Sequence, residues 1–342
     1  MKVSKFINIL KSKIIDWLPY GLVREKIKKN GITRETSVEP LIYNALGEFK
    51  RTFYLQDRVC CHSPYSFSSI NVGQTKYINW DRFNNSLSVK FYSHWEVFKK
   101  KDIGSYDFAI LVESETIDPD LYECCLSNPH VMNEFKAIFT HSERIINAYK
   151  NAFFIPGSSV WYGGTAGGGK LDSKQYLKKF KNISLVSSDK SQCDLHRYRI
   201  HLADLFCNTG LVDVMGTYNG GNYVSISDSL TDYRFSIVVE NNITKCYFTE
   251  KLLNCFASMT IPIYIGATDI GNFFNTDGII VLKPNMSDLQ VINLVRSCTD
   301  DLYRQKIGSI VDNYNKVHEY FCIEDYIFEH YKYLFDDSKV TL

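Results

Sequence analysis

Short apolar runs bounded by turn residues alternate with stretches of helical periodicity along most of this chain, and that alternation restricts the fold more than any other feature. The runs predict strands at 87–91, 108–112, 137–139, 152–155, 183–186, 212–215, 235–239, 261–265 and 279–282. Helical patterns fall between or after them, at 142–149, 196–206, 249–258, 288–296, 301–317 and 323–334. Strand and helix in alternation imply parallel sheets covered by helices, an α/β architecture. With 342 residues there is chain enough for two such units. The composition between Pro156 and Lys181 shifts to Gly, Ser and Lys, which suits a linker or loop between them. Two Rossmann-like domains facing across a cleft are therefore expected.

Charge excludes one class and locates another feature. The net charge of +1 gives no general basic surface for nucleic acid. Residues 1–34 nevertheless hold nine Lys or Arg against Asp16 and Glu25, so this segment carries +7 and the remainder −6. Val3, Phe6, Ile7, Leu10, Ile14, Trp17 and Leu18 recur there at helical spacing. The pattern fits a helix on an anionic membrane surface, or one docked on the protein's own body. No run of 18 apolar residues occurs, and Lys11, Lys13 and Asp16 break the first apolar stretch, so neither a spanning helix nor a secretory signal is expected. A cytoplasmic protein, peripheral at most on the inner membrane face, follows. The ten cysteines include no CxxC pair, and a zinc site is not expected. The run from Gly164 to Lys170 mimics a phosphate-binding GxxxxGK loop, but Leu171 stands where Ser or Thr would hold Mg²⁺.

Residues 233–266 concentrate the chemistry. They read as a buried strand, a polar elbow at Glu240, Asn241 and Asn242, a loop, a helix capped by Thr249 with Glu250 and Lys251 in its first turn, and a strand ending at Gly266. The helix N-terminus and the strand ends would open on the crevice at the carboxyl edge of a parallel sheet, where anions bind. A lysine in a first turn opposes the helix dipole, which suggests that Lys251 meets a phosphate. Glu250 would then reach sugar hydroxyls, and Tyr247 would pack on a ring or donate to phosphate.

This run resembles glycosyltransferase family 10, the α-1,3-fucosyltransferases, in Tyr233-Arg234-Phe235, Glu240-Asn241, Tyr247-Phe248-Thr249-Glu250-Lys251 and Ile261-Pro262-Ile263. The resemblance implies a GT-B fold whose C-terminal half binds GDP-fucose through Asn241, Tyr247, Glu250 and Lys251. It further implies an arginine early in a helix upstream of a strand like Val212-Asp213-Val214-Met215-Gly216. Counting back gives Arg199, with Arg197 as the alternative and Ser187 and Lys190 as added donors. The family's base would lie after an N-terminal strand in Glu113-Ser114-Glu115-Thr116-Ile117-Asp118-Pro119, as Glu113 or, in a shorter version, Glu115. Two carboxylates so close repel, and one could take a raised pKa suited to accepting a hydroxyl proton.

The organisation implied is an acceptor and base domain at 1–160, a Gly- and Lys-rich loop or linker at 161–180, a donor domain at 181–322 and a C-terminal helix at 323–342. The activity implied is metal-independent, inverting transfer of L-fucose from GDP-fucose to a glycan hydroxyl, in α-1,3 linkage, with no cofactor required. A GT-B transferase for another nucleotide sugar, or an inactive nucleotide-sugar-binding protein, are the alternatives. Keeping a carboxylate in the opposite domain speaks for catalysis. For the basic segment, full-length protein is expected to sediment with anionic liposomes while protein starting at residue 35 stays in the supernatant. Equal sedimentation would remove the membrane reading.

Overall fold

The computed structural model describes residues 51–60, 75–100, 104, 106–163, 170–172 and 174–335. The amphipathic segment 1–34 and most of the glycine run at 164–169 lie outside the described residues, as do 336–342. Within them two all-parallel sheets form. The first has six strands in the order β2-β1-β3-β4-β5-β6: β1 (Arg51–Gln56), β2 (Ile78–Asp81), β3 (Lys90–Ser93), β4 (Asp107–Leu111), β5 (Ala137–Thr140) and β6 (Ala152–Phe154). The second has five in the order β11-β10-β9-β7-β8: β7 (Lys181–Val186), β8 (Asp213–Met215), β9 (Tyr233–Val239), β10 (Ile261–Ile265) and β11 (Ile280–Val281). Each sheet reverses its strand order once, between β1 and β3 and between β7 and β9. Those are the points where an open parallel sheet leaves a crevice beyond its strand ends.

Nine predicted strands correspond to β3–β11, while β1 and β2 escape the apolar-run criterion. In β1 the buried residues Phe53 and Leu55 alternate with half-buried Thr52, Tyr54 and Gln56, so the strand reads as polar. The predicted helix at 301–317 is two, Asp300–Gln305 and Ile307–Lys316, with Lys306 between them at φ −93° and ψ 6°, off helical geometry. Helices Pro119–Ser127 and Ile226–Leu230 carry no apolar stripe strong enough to anticipate.

Phenylalanines build the N-terminal core. Phe53, Phe91, Phe108 and Phe139 stand on neighbouring strands with ring centroids 5.7, 4.8 and 5.9 Å apart in succession. The last helix, Ile323–Tyr331, crosses back to this sheet. Trp80 Nε1 donates to Glu324 Oε1 at 2.8 Å, Tyr77 stacks on Phe328 at 4.7 Å, and Phe335 caps the ladder 5.5 Å from Phe53. The described part of Pro156–Lys181 is fastened to the second unit. Trp161 and Tyr162 N–H both donate to Asn254 Oδ1, Leu171 N–H donates to Ala257 O, and buried Lys179 donates to three carbonyls and Thr260. Lys245 to Glu143, at 2.7 Å, joins the two units directly.

Gly266 ends β10 where no side chain fits: an added Cβ would lie 2.3 Å from Tyr264 Oη and 2.6 Å from Glu240 Cγ. Gly266→Ala is expected to lower stability by about 1–3 kcal/mol. The check is a lower denaturant midpoint at unchanged slope.

Candidate functional site

Beyond β9 the chain turns at Glu240, whose side chain is wholly buried. Its Oε1 accepts Thr249 N–H at 2.9 Å and its Oε2 accepts Thr249 Oγ1–H at 2.7 Å. Thr249 is the N-cap of helix Glu250–Ala257, so one carboxylate fixes the strand end to the start of the next helix. Lys251 Nζ lies 3.3 Å from Glu240 Oε2 and 3.4 Å from Glu250 Oε1. Burial opposes the ammonium charge, but Glu250 and Glu240 outweigh it and hold the Lys251 pKa above its ordinary value. Burial raises the Glu240 carboxyl, with Lys251 pulling the other way. The position of Lys251 against the helix dipole thus has a local cause as well: it neutralises Glu240.

Helix Asp194–Phe206 places Arg199 on its buried side, 9% exposed. Its Nη2 donates to Ser188 Oγ at 3.1 Å, while Nε has no hydrogen-bond partner among the described residues. Burial lowers its pKa from the ordinary arginine value. A desolvated guanidinium with donors to spare is suited to an anion. Arg197, the alternative, is exposed and bound to Asp194 and Ser191 O.

In the first unit β4 leads to Glu113, half-buried, whose Oε1 accepts Ser114 N–H at 2.9 Å. Burial raises its pKa, with the Ser114 N–H and Lys251 pulling it down. Glu115 faces elsewhere: it accepts Ser142 Oγ–H and pairs with Arg144 at 3.2 Å.

A cavity of about 420 Å³ between the two units is lined by Glu113, Lys190, Arg199, Asn241, Tyr247, Glu250 and Lys251, and Glu115 and Arg197 do not line it. A second cavity of about 330 Å³ opens beside it, sharing Trp161, Ser188, Arg199, Glu250 and Lys251, and running past Ser187, Val186 and Tyr223. Asn241 Oδ1 lies 3.0 Å from His196 Nε2, which fixes the amide. Tyr247 differs from expectation in its surroundings: it is only 2% exposed, with its ring centroid 4.6 Å from that of His141 across the unit boundary. Glu240 lies in the elbow that the sequence marks, but its anchoring of Thr249 is not written there. His196, Ser188 and Trp161 carry no signal in the sequence. Trp161 falls in the stretch set aside as linker, and the others are single residues without a motif.

Asp57, Cys60 and His94 bring possible ligand atoms within 4.8 Å of one another. The Asp57 carboxylate is already engaged by Ser93 Oγ–H, by the N–H groups of Val59 and Cys60, and by Arg82 at 3.5 Å. Arg82 supplies the positive charge there.

Residues 178–301 match the family model described as glycosyltransferase family 10 (fucosyltransferase), C-terminal. No curated protein matches the chain. A crystal structure of an α1,3-fucosyltransferase with GDP-fucose superimposes with a TM-score of 0.51 at 14% identity, covering 92% of this chain and 96% of that one. One with GDP gives 0.48 at 15% identity, over 78% and 83%. A TarM structure from S. aureus gives 0.47 at 12% identity, over 72% of this chain and 55% of its own. The expected α/β architecture, two Rossmann-like domains in the GT-B arrangement, is the one observed, and the resemblance to family 10 extends over most of the second unit. Among the described residues no helix is long and apolar enough to cross a membrane.

Replacing Lys251 with Met leaves Glu240 buried and unneutralised, a change that costs about 3–5 kcal/mol. The melting temperature of Lys251→Met is expected to fall, and adding Glu240→Gln is expected to recover part of it.

Proposed function

We propose that this chain, a glycosyltransferase with the family 10 domain at 178–301, transfers L-fucose from GDP-fucose to a hydroxyl of a glycan acceptor with inversion, in α-1,3 linkage. The observation that carries the reading is the single cavity in which Glu113 from one domain faces Arg199, Asn241, Glu250 and Lys251 from the other. Nucleotide binding alone has no use for a carboxylate across the cleft.

The diphosphate would sit at the N-terminus of helix Glu250–Ala257, where the dipole favours an anion, with Arg199 as the close cation. Glu250 and Asn241 would take sugar hydroxyls. The purine would enter the second cavity, past Trp161 toward Tyr223. Glu113 would accept the proton of the acceptor hydroxyl as its oxygen bonds to the anomeric carbon, on the face opposite the departing GDP. The bond from that carbon to the phosphate oxygen breaks, and Arg199, the helix N-terminus and Lys251 stabilise the charge left on GDP. Inverting glycoside hydrolysis divides the work in the same way, with water where the acceptor hydroxyl stands here. These cationic groups supply the charge that a metal would otherwise bring, so the reading is metal-independent. Contact of residues 1–34 with an anionic membrane at the inner face rests on their charge pattern and is part of the same proposal.

Arg199→Ala is expected to weaken GDP binding about 10- to 100-fold, the effect of losing charge-assisted hydrogen bonds, by calorimetry. Glu113→Gln is expected to leave GDP affinity unchanged and to lower transfer about 10²- to 10⁴-fold. Because burial raises the Glu113 pKa and the base must be ionised, kcat/KM is expected to rise with pH through a limb above the ordinary carboxylate range. Calorimetry against a panel of nucleotide sugars decides the donor: binding of another sugar nucleotide with none of GDP-fucose would overturn the assignment.

A further inference from the structure

Glu113 follows β4 by two residues, and both polar groups of its backbone are held by side chains outside the donor cluster. His94, the first residue after β3, adopts a left-handed backbone with φ 49°. In that conformation its ring lies beneath Glu113, with Nε2 accepting the Glu113 N–H at 3.1 Å. An accepting Nε2 carries no proton, so the proton of this imidazole is on Nδ1. Burial brings the His94 pKa down to about 4, which keeps the ring neutral and the acceptor available.

The Glu113 carbonyl is held from the other side. Tyr122, on helix Pro119–Ser127, donates its hydroxyl to it, and His141 Nε2 lies 3.0 Å away. A carbonyl can only accept, so this imidazole carries its proton on Nε2, the opposite tautomer from His94. His141 follows β5 and is 1% exposed. Its ring also packs on Tyr247, two residues before the N-cap of helix Glu250–Ala257.

We propose that His94 and His141, fixed in opposite tautomers, are positioning residues that hold the peptide of Glu113 so that its carboxylate faces the donor-side cluster. The inference rests on the reading of Glu113 as the base. An ordinary backbone bond needs neither a strained position nor two buried imidazoles. Here a left-handed non-glycine residue is kept where its ring reaches the backbone N–H of the residue that carries the carboxylate. A displacement of about 1 Å at a reacting group lowers rates about a hundredfold, so a lost clamp should act on turnover more than on binding.

The test compares His94→Leu, His94→Gln and His141→Phe with Glu113→Gln. His94→Leu removes the acceptor and His141→Phe keeps the ring on Tyr247 but removes the donor. Each is expected to lower kcat about 10- to 100-fold with GDP affinity unchanged. His94→Gln, whose Oε1 can accept the same N–H, is expected to recover most of the rate. The acidic limb of kcat/KM is expected to move toward the ordinary carboxylate range in the two deficient variants, as Glu113 gains water. The groups facing Glu113 in that titration are Lys251 and Glu250 across the cleft, Asp118 and the Ser114 N–H on its own loop, and His94, His141 and Tyr122 beneath it. Should His94→Leu fail to fold, His94→Asn, too short to accept, is compared with His94→Gln and is expected to be slower. If the clamp variants keep wild-type kcat and limb while Glu113→Gln is inactive, the positioning role is wrong and the base stands. If Glu113→Gln keeps its activity, the base reading itself falls.

Discussion

The site depends on one buried carboxylate. Glu240 has no access to solvent, and an ionised group so placed is tolerable only with full compensation. Thr249 N–H, Thr249 Oγ1 and Lys251 Nζ provide it. Because those partners begin the helix Glu250–Ala257, the compensation is also a joint: it sets the direction in which the helix leaves the β9 elbow. The N-terminus of that helix therefore meets the cavity at a fixed angle. Gly266 is bound to the same joint, since the strand after the helix must pass within a missing Cβ of Glu240.

The division of charge follows from this arrangement. Lys251 is in contact with two carboxylates, so little of its charge is free to act at a distance. Arg199 is buried beside Ser188 with one guanidinium nitrogen unpartnered among the described residues. An incoming diphosphate would find most of its attraction in Arg199 and the helix N-terminus, with Lys251 adding hydrogen bonds at short range.

Much of the fold was legible because parallel strands buried on both faces are written as continuous apolar runs, as in Phe235–Val239 and Ile261–Ile265. β1 escaped because one of its faces is only half-buried. The grouping of Asn241, Tyr247, Glu250 and Lys251 at one cavity was legible because these residues follow one another across a single strand-elbow-helix unit. Arg199 and Glu113 were legible only as one of two: two residues apart on a helix or loop, Arg197 and Glu115 offer the same chemistry in sequence. Their partners separate them: Arg197 pairs with Asp194 and Glu115 with Arg144, while Arg199 and Glu113 line the cavity. His94 and His141 could not be anticipated, since 47 positions of chain separate two histidines that converge on the backbone of one residue.

That convergence shows how the two domains are coupled. β3, β4 and β5 are neighbours in one parallel sheet, so their carboxyl ends present His94, Glu113 and His141 side by side. His141 continues the row to Tyr247 on the other domain, two residues before Thr249. Glu113 and the helix N-terminus are thus linked through packed rings and hydrogen bonds. The base and the donor-side cations would keep their separation through the joint itself, and the cavity between them is shaped by the two sheets meeting at their strand ends. A carboxylate whose charge is opposed by burial and partly restored by Lys251 needs this fixed distance. Moving it closer would turn it into a third carboxylate partner for the lysine, and moving it away would return it to water and to an ordinary carboxylate's weak basicity.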